Sequence, residues 1–330
     1  MAKILHTADF HLDSAFTALP EEKARLRRQE ARQLTDRLVD YANDHGVELL
    51  LLAGDLFDSD QLYGQTAQEL ARSLAREGYA TSFVYGGDLN FTNQATYMYA
   101  TGWQQLVWQR DLRFDTPPSD WGYDDAVMCD WFADCVIAQS GTGEPFLAGL
   151  LTLSSHRPFD VPFSRFDDRE LNAFAFADDC VGRMIDKLKA SPAWDDLLVV
   201  LVADHGYPYP RTLAYNEPLR HRIPMIWTGG AVAEPRVVED YAAQIDIAAT
   251  LLAQLGVPHD DFDYSKDIFA PTPPRKFAYY AFNDGFGVVD ASGEAVWDAT
   301  GGRAVTETNP ELLDVGRTML QTTYVDIGRR

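Results

Sequence analysis

The chain has 330 residues, of which 46% are hydrophobic and 12% aromatic, and these values indicate a globular protein with a sizeable core. Its formal net charge of −22 disfavours nucleic acid as a partner, because an acidic surface repels a phosphate backbone. No apolar run approaches the ~18 residues of a membrane span, and the N-terminus lacks the regions of a secretory signal, which predicts a cytoplasmic protein.

Apolar runs alternate with helical patterns in the first third of the chain. They predict strands at AKILHTAD, VELLLLAGD and YATSFVYGGD, and helices over roughly Pro20 to His45 and Tyr63 to Glu77. Strands and helices that alternate over short links are typical of a parallel α/β sheet. The pattern loosens between Leu89 and Gly143, where aromatic residues, aspartate and proline dominate.

The remainder of the chain continues the alternation. It predicts strands at FLAGLLTLSSH, LLVVLVADHG and RIPMIWTGG, and helices at AFAFADDCVGRMIDKLKA and from Gln244 to about Leu255, the latter capped by Asp246. A hairpin is predicted at FGVVDASGEAVWDA, turning at Ser292-Gly293, and a helix near Pro310 to Thr323. The predicted fold class is α/β: a mostly parallel sheet flanked by helices on both faces, with a small C-terminal antiparallel hairpin and helix.

Two sets of polar residues are candidate metal ligands, and the first set lies near the N-terminus. Asp9 and His11 follow the first predicted strand and Asp55 follows the second, so all three are expected at one sheet edge. Carboxylate oxygens suit hard divalent cations, and imidazole adds affinity for manganese, iron or zinc. ILHTADFHLDS and LLLLAGDLFDS resemble the first two motifs of calcineurin-like metallophosphoesterases, especially nuclease subunits of the SbcD type. This resemblance covers residues 1–78 and implies that Asp9 and His11 bind one metal and that Asp55 bridges two.

The second set lies in LLVVLVADHGYP, where a predicted buried strand ends in Asp204-His205-Gly206. This stretch, LTLSSHRPFDVP, HRIPMIWTGG and QIDIAATLLAQLG resemble the sulfatase-like branch of the alkaline phosphatase superfamily, including lipoteichoic acid synthase and related phosphoglycerol transferases. The resemblance covers residues 79–330 and implies that Asp204 and His205 bind a divalent metal, manganese first, with magnesium or zinc as alternatives. It also implies that His156, beside Arg157, contacts a substrate phosphate or glycerol head group, with His221 as a further pocket residue.

The nucleophile has no assigned residue. In the sulfatase-like family a Glu at the end of the first strand and a Thr on a following helix complete the site, and this chain has neither motif. If AKILHTAD occupies the first-strand position, Asp9 replaces the Glu, and Asp9, Asp204 and His205 with His11 or Asp55 form one hybrid site. The hydroxyl groups near these motifs in sequence belong to Thr7, Ser14, Thr17 and Ser59.

Three functions stay open from the sequence. The first is a metal-dependent phosphoester or sulfoester hydrolase, or a phosphoglycerol transferase, that acts on a small phosphoester. The second is a metallophosphoesterase or nuclease that acts through the N-terminal motifs, although the later Asn-His and Gly-His-x-His motifs of that family are absent. The third is a hybrid of the segments 1–78 and 79–330 that folds, with or without a bound metal, and catalyses nothing. Under each hypothesis the two segments are expected to pack as one α/β domain.

Overall fold

The computed structural model describes residues 4–8, 49–53, 64–90, 94–209, 212–272 and 275–327. The chain divides into two compact units, one of Met1–Gln61 with Asn90–Gln94 and the other of Leu62–Leu89 with Ala95–Arg330. In the first unit, strands β1 (Ile4–Ala8) and β2 (Leu49–Ala53) pair in parallel. This pairing confirms the first two predicted strands. The helix predicted between them lies outside the described residues.

A parallel sheet and helices make up most of the second unit. The sheet has the strand order β4-β3-β5, formed by β3 (Ala80–Tyr85), β4 (Gln105–Trp108) and β5 (Phe146–Leu151). The helices of this part of the chain are α1 (Gly64–Arg76), α2 (Gln94–Ala100), α3 (Asp125–Ser140), α4 (Arg169–Lys189) and α5 (Ile247–Gln254). Across the described residues, no helix combines the length and the apolar character that crossing a bilayer demands.

Strand β5 shows that helices cover both faces of this sheet. Phe146, Ala148 and Leu150 pack into a cluster built mainly from α3 and α4. Leu147 packs instead into a cluster that contains residues of α1 and α5. Because successive side chains of a strand point to opposite faces, the two clusters lie on opposite sides of the sheet. The predicted α/β architecture is therefore confirmed.

The predicted strands on either side of Asp204 pair with each other. Strand β6 (Val199–Val202) runs antiparallel to β7 (Met225–Thr228), with Val199 opposite Thr228. The described residues between them contain a short 3-10 helix, Pro218–His221, and no α-helix. A parallel return would need a long crossover that is usually helical, so the antiparallel pairing agrees with this connection. The carboxyl end of β6 carries Asp204.

The region of loosened sequence pattern contains helix α3, which the periodicity did not predict. Its apolar residues are spread around the helix, so the sequence shows no single apolar stripe. In the fold, however, the buried residues between Met128 and Val136 recur at intervals of three and four and lie on one face. Asp124 caps the helix, since its Oδ1 accepts hydrogen bonds from the amides of Ala126 at 2.9 Å and Val127 at 3.2 Å. Apolar residues outside the buried face thus obscured the periodicity that normally identifies a helix.

The C-terminal part is larger than the predicted hairpin. An antiparallel sheet in the order β11-β10-β9-β8 comprises β8 (Phe277–Phe282), β9 (Gly285–Asp290), β10 (Gly293–Asp298) and β11 (Arg303–Glu307), and α6 (Glu311–Ile327) follows. The predicted hairpin is β9–β10, in which Gly293 pairs with Asp290 and adopts a φ of 147°. Leu312 and Leu313 of α6 pack against Phe286 of β9.

The prediction that Asp246 caps α5 is wrong. Its side chain makes no capping hydrogen bond to that helix and is buried instead. Asp246 Oδ2 lies 2.7 Å from Lys266 Nζ and 2.9 Å from the amide of Ala243, while Oδ1 accepts from the amide of Lys266 at 3.1 Å. A cation 20 residues further along the chain therefore decides the role of this carboxylate.

Candidate metal and substrate site

The turn after β6 presents a carboxylate and an imidazole side by side. Asp204 Oδ1 accepts a hydrogen bond from the amide of His205 at 2.9 Å, which fixes the start of the turn. The Nδ1 of His205 lies 3.0 Å from the carbonyl oxygen of Gly206. Because a carbonyl oxygen only accepts, Nδ1 is the donor and Nε2 of the neutral ring keeps its lone pair.

These two side chains fit half of a divalent metal site. Asp204 Oδ2 and His205 Nε2 are 3.6 Å apart, and the side chains are 72% and 68% exposed. Two neighbouring ligands at ~2.1 Å from an ion lie about 3.4 Å apart in tetrahedral geometry and about 3.0 Å apart in the octahedral geometry of manganese. The observed spacing is therefore close to the tetrahedral value, and octahedral coordination requires the two exposed side chains to move closer together. In the described part of the chain, no cluster of three or more His, Cys, Asp or Glu residues could hold a metal ion. The pair therefore needs further ligands.

Gly206 allows this turn to pack tightly against the segment before β7. A Cβ atom at Gly206 would lie 2.0 Å from the carbonyl oxygen of Arg220, a distance that no side chain tolerates. Arg220 Nη1 in turn donates to the carbonyl oxygen of Gly206 at 2.5 Å. The Asp-His-Gly sequence thus combines two side chains that can bind a metal with a glycine, which allows the turn to approach the Arg220 backbone closely.

The loop after β5 carries His156 and Arg157. His156 Nδ1 lies 2.7 Å from the carbonyl oxygen of Arg157, which again leaves Nε2 of the neutral ring as an acceptor. The His156 ring is exposed, and its centroid lies 4.8 Å from that of Trp121, which is 40% exposed. This loop and the neighbouring Trp121 therefore present an imidazole and an indole ring to solvent.

Tyr207 connects the His156 loop with the turn that follows β6. Its ring packs edge-on against Phe174 at 5.0 Å and against Phe159, three residues after His156, at 6.4 Å between centroids. Burial, followed by the nearby Glu170, raises the pKa of Tyr207, and the Arg157 guanidinium opposes that effect. The ring of Tyr207 thereby joins the loop of His156 and Arg157 to the loop of Asp204 and His205.

His221 is engaged elsewhere. Its Nε2 lies 2.5 Å from the carbonyl oxygen of Tyr215, and its ring stacks on Tyr280 of β8 with centroids 4.1 Å apart. The ring thus packs against the C-terminal sheet, and its assignment to a substrate pocket stays a prediction. The N-terminal candidates Asp9, His11 and Asp55 lie outside the described residues.

A buried carboxylate that the sequence did not single out holds the His156 loop. Asp125, the first residue of α3, is 1% exposed. Its Oδ1 accepts from the amide of Leu153 at 2.7 Å and its Oδ2 from the amide of Ser154 at 3.0 Å. Burial raises the pKa of Asp125, and the two backbone hydrogen bonds oppose that effect. An Asp in the first turn of a helix is a local signal, but these partners become visible only in the fold.

Asp125→Asn is expected to lower the free energy of unfolding by about 1–3 kcal/mol at neutral pH, because one backbone amide then faces an NH2 group. Since the pKa of Asp125 is raised on folding, protonation of this group adds stability that is fully present below the unfolded pKa. That added stability, unlike the two backbone hydrogen bonds, is lost as the pH rises through the raised, folded pKa. The difference in free energy of unfolding between the parent and Asp125→Asn is therefore larger in mild acid than at neutral pH. Urea unfolding under both conditions measures this difference.

Asp124→Asn is the matched control, since Asn caps a helix as well as Asp does. We expect this variant to stay within about 0.5 kcal/mol of the parent at either pH. An Asp125→Asn variant as stable as this control would show that the buried carboxylate does not hold the loop.

Comparison with known proteins identifies the class and then the family. The fold resembles a protein in the alkaline phosphatase superfamily from Vibrio parahaemolyticus, with a TM-score of 0.64, 26% identity, and coverage of 71% of this chain and 59% of that one. It also resembles the lipoteichoic acid synthase LtaP from Listeria monocytogenes, with a TM-score of 0.64, 22% identity, and coverage of 82% and 77%. The architecture is that of the alkaline phosphatase superfamily. The Sulfatase family model matches residues 33–257, and the chain belongs to the sulfatase family.

Relatives in sequence include phosphoglycerol transferases I. The protein from Xanthomonas axonopodis pv. citri is 23% identical over 261 residues, which is 72% of this chain and 36% of that protein. The one from Salmonella arizonae is 29% identical over 147 residues, 40% of this chain and 19% of that protein. The chain thus spans about a third or less of these relatives. The family match begins at residue 33, inside the segment with metallophosphoesterase-like motifs, and the division near residue 78 stays a prediction.

Proposed function

We propose that this chain is a metal-dependent phosphoester hydrolase or phosphoglycerol transferase of the sulfatase family. The observation that carries the proposal is the exposed pair of Asp204 and His205 at the carboxyl end of β6, with Asp204 Oδ2 3.6 Å from His205 Nε2. Support for the substrate class comes from the similarity to phosphoglycerol transferases I. The proposed substrate is a small phosphoester with a phosphoglycerol-type group.

In this proposal Asp204 and His205 hold a divalent cation, manganese first. A bound divalent cation would polarise a phosphoryl oxygen and offset the charge that develops there. The hydrogen bond from His205 Nδ1 to Gly206 selects the tautomer of the neutral ring in which Nε2 carries the lone pair that a metal would use. The Oδ1 of Asp204 is used within the turn, so Oδ2 is the oxygen directed to a ligand. No residue of the chain is assigned as the nucleophile.

Arg157 and His156 supply the substrate contacts in this proposal. A guanidinium group matches two phosphate oxygens at once, and Arg157 lies on the loop that packs against Tyr207 through Phe159. His156 Nε2 accepts a hydrogen bond from a hydroxyl group, since Nδ1 is already the donor to a backbone carbonyl. Together the two residues suit an anionic phosphate that carries a glycerol hydroxyl.

The proposal predicts manganese-dependent turnover of a phosphodiester. We expect the purified chain with manganese to hydrolyse bis(p-nitrophenyl) phosphate faster than p-nitrophenyl sulfate, measured as released nitrophenol. Arg157→Ala is expected to raise KM more than it lowers kcat, because it removes a contact present in the ground state as well as in the transition state. Arg165→Ala, which removes an exposed arginine that pairs with Asp179, is the matched control.

Other outcomes distinguish the remaining hypotheses. Preference for the sulfate ester would make the chain a sulfoester hydrolase. Turnover that Asp55→Ala abolishes and Asp204→Ala leaves intact would support the metallophosphoesterase hypothesis. No turnover of either ester, with manganese still bound, would support a fold that binds metal and catalyses nothing.

A further inference from the structure

Gln244 connects the helix α5 region with the backbone of the candidate metal turn. Its Nε2 donates to the carbonyl oxygens of Ala203 at 2.6 Å and of Asp204 at 2.8 Å. These partners are 41 and 40 residues away in sequence. No local pattern around Gln244 indicated such a role, and the sequence placed it only at the start of a helix.

The chemistry of the two partners fixes the orientation of the amide. Both are carbonyl oxygens, which only accept, so the NH2 group must face them and the side-chain oxygen must point away. Each hydrogen of the NH2 group then serves one carbonyl. Among side chains of this length, only glutamine offers two such donors without a charge. Glutamate would place a carboxylate oxygen against two carbonyl oxygens.

A buried anchor holds Gln244 in this position. Gln244 begins a 3-10 helix, Gln244–Asp246, whose last residue is the buried Asp246. Asp246 accepts from the amide of Ala243 at 2.9 Å and from Lys266 Nζ at 2.7 Å, and the side chains of Lys266 and Asp246 are only 2% and 3% exposed. The amide therefore projects from a turn that is fixed in the core.

We propose that Gln244 is a positioning residue that fixes the conformation of the Asp204-His205 turn. Both of these side chains are more than two thirds exposed, so the backbone rather than side-chain packing must set their direction. Gln244 binds that backbone at the carbonyls immediately before and within the pair. The expected effect of Gln244 on metal affinity rests on the proposed function, whereas its role in fixing the turn does not.

Hydrogen–deuterium exchange of the metal-free chain tests the positioning role directly. In Gln244→Ala and Gln244→Glu we expect faster amide exchange in peptides that cover residues 199–209 and unchanged exchange in peptides from α4. Gln254→Ala removes an exposed glutamine at the end of α5 and is the matched control, expected to match the parent. Manganese titration, followed by the electron paramagnetic resonance of the free ion, is expected to show affinity about 10-fold or more weaker in both Gln244 variants.

The outcomes separate this proposal from the proposed function. Parent-like exchange at residues 199–209 in Gln244→Ala would overturn the positioning role, and so would an equal increase throughout the second unit. If the Gln244 variants exchange faster only in that segment and the parent binds no manganese, the positioning role is supported and the proposed function fails. Local exchange together with weakened manganese binding supports both.

Discussion

Asp204→Ala is expected to abolish saturable manganese binding and, with it, phosphodiester turnover. Asp204 contributes one of the two exposed donor atoms at the end of β6, and an alanine leaves His205 without its neighbouring carboxylate. A single imidazole binds a hard cation poorly, because such ions prefer carboxylate oxygens. Isothermal titration with manganese measures the binding, and the release of nitrophenol from bis(p-nitrophenyl) phosphate measures the turnover.

Three further variants test whether the loss of manganese binding is specific to the proposed ligands. Asp178→Ala removes an exposed aspartate on α4 and is the control, expected to bind and turn over as the parent does. His205→Ala is expected to weaken manganese binding like Asp204→Ala. Asp9→Ala tests the sequence-based hypothesis that Asp9 contributes a ligand. Undiminished manganese binding by Asp204→Ala would show that the metal site lies elsewhere in the chain.

Lys266→Met is expected to lower the free energy of unfolding by about 3–5 kcal/mol, the usual cost of leaving a buried charge without its partner. Lys266 Nζ lies 2.7 Å from Asp246 Oδ2 and 3.1 Å from the carbonyl oxygen of Phe277. Methionine keeps the apolar length of the side chain but leaves the Asp246 carboxylate with Arg275, whose Nη2 is 3.7 Å away. Urea or thermal unfolding measures the change.

Lys276→Met is the control, because this lysine is exposed and only ten residues further along the chain. We expect it to change the free energy of unfolding by no more than about 0.5 kcal/mol. Asp246→Asn combined with Lys266→Met is expected to cost less than the sum of the single changes, because the neutral amide no longer needs a cation. Strict additivity would contradict the assignment of a buried ion pair.

Periodicity and turn chemistry were enough to predict much of the fold. The strands β1, β2, β3, β5 and β6 and the helices α1, α4 and α6 follow apolar patterns that the sequence shows directly. Such patterns are local, since a strand or helix buries one face whatever its partner is. The position of Asp204 and His205 at the end of β6 followed from the same reasoning.

Long-range partners decided the features that the sequence did not indicate. Helix α3 has apolar residues on all sides, so only its packing shows which face is buried. The pairing of β6 with β7 depends on the connection between them. Asp246 has the local signal of a helix cap, yet Lys266 makes it half of a buried ion pair.

The chemistry of the site divides in the same way. The sequence by itself determined which residues bear a carboxylate, an imidazole or a guanidinium group at the ends of strands, because a short segment specifies both the strand and its end. Only the tertiary structure placed Gln244 on the backbone of Asp204, Asp125 under the His156 loop and Tyr207 against Phe159. Each of these contacts joins residues that are far apart in sequence, and their hydrogen-bonding capacity is satisfied only when the intervening chain has folded.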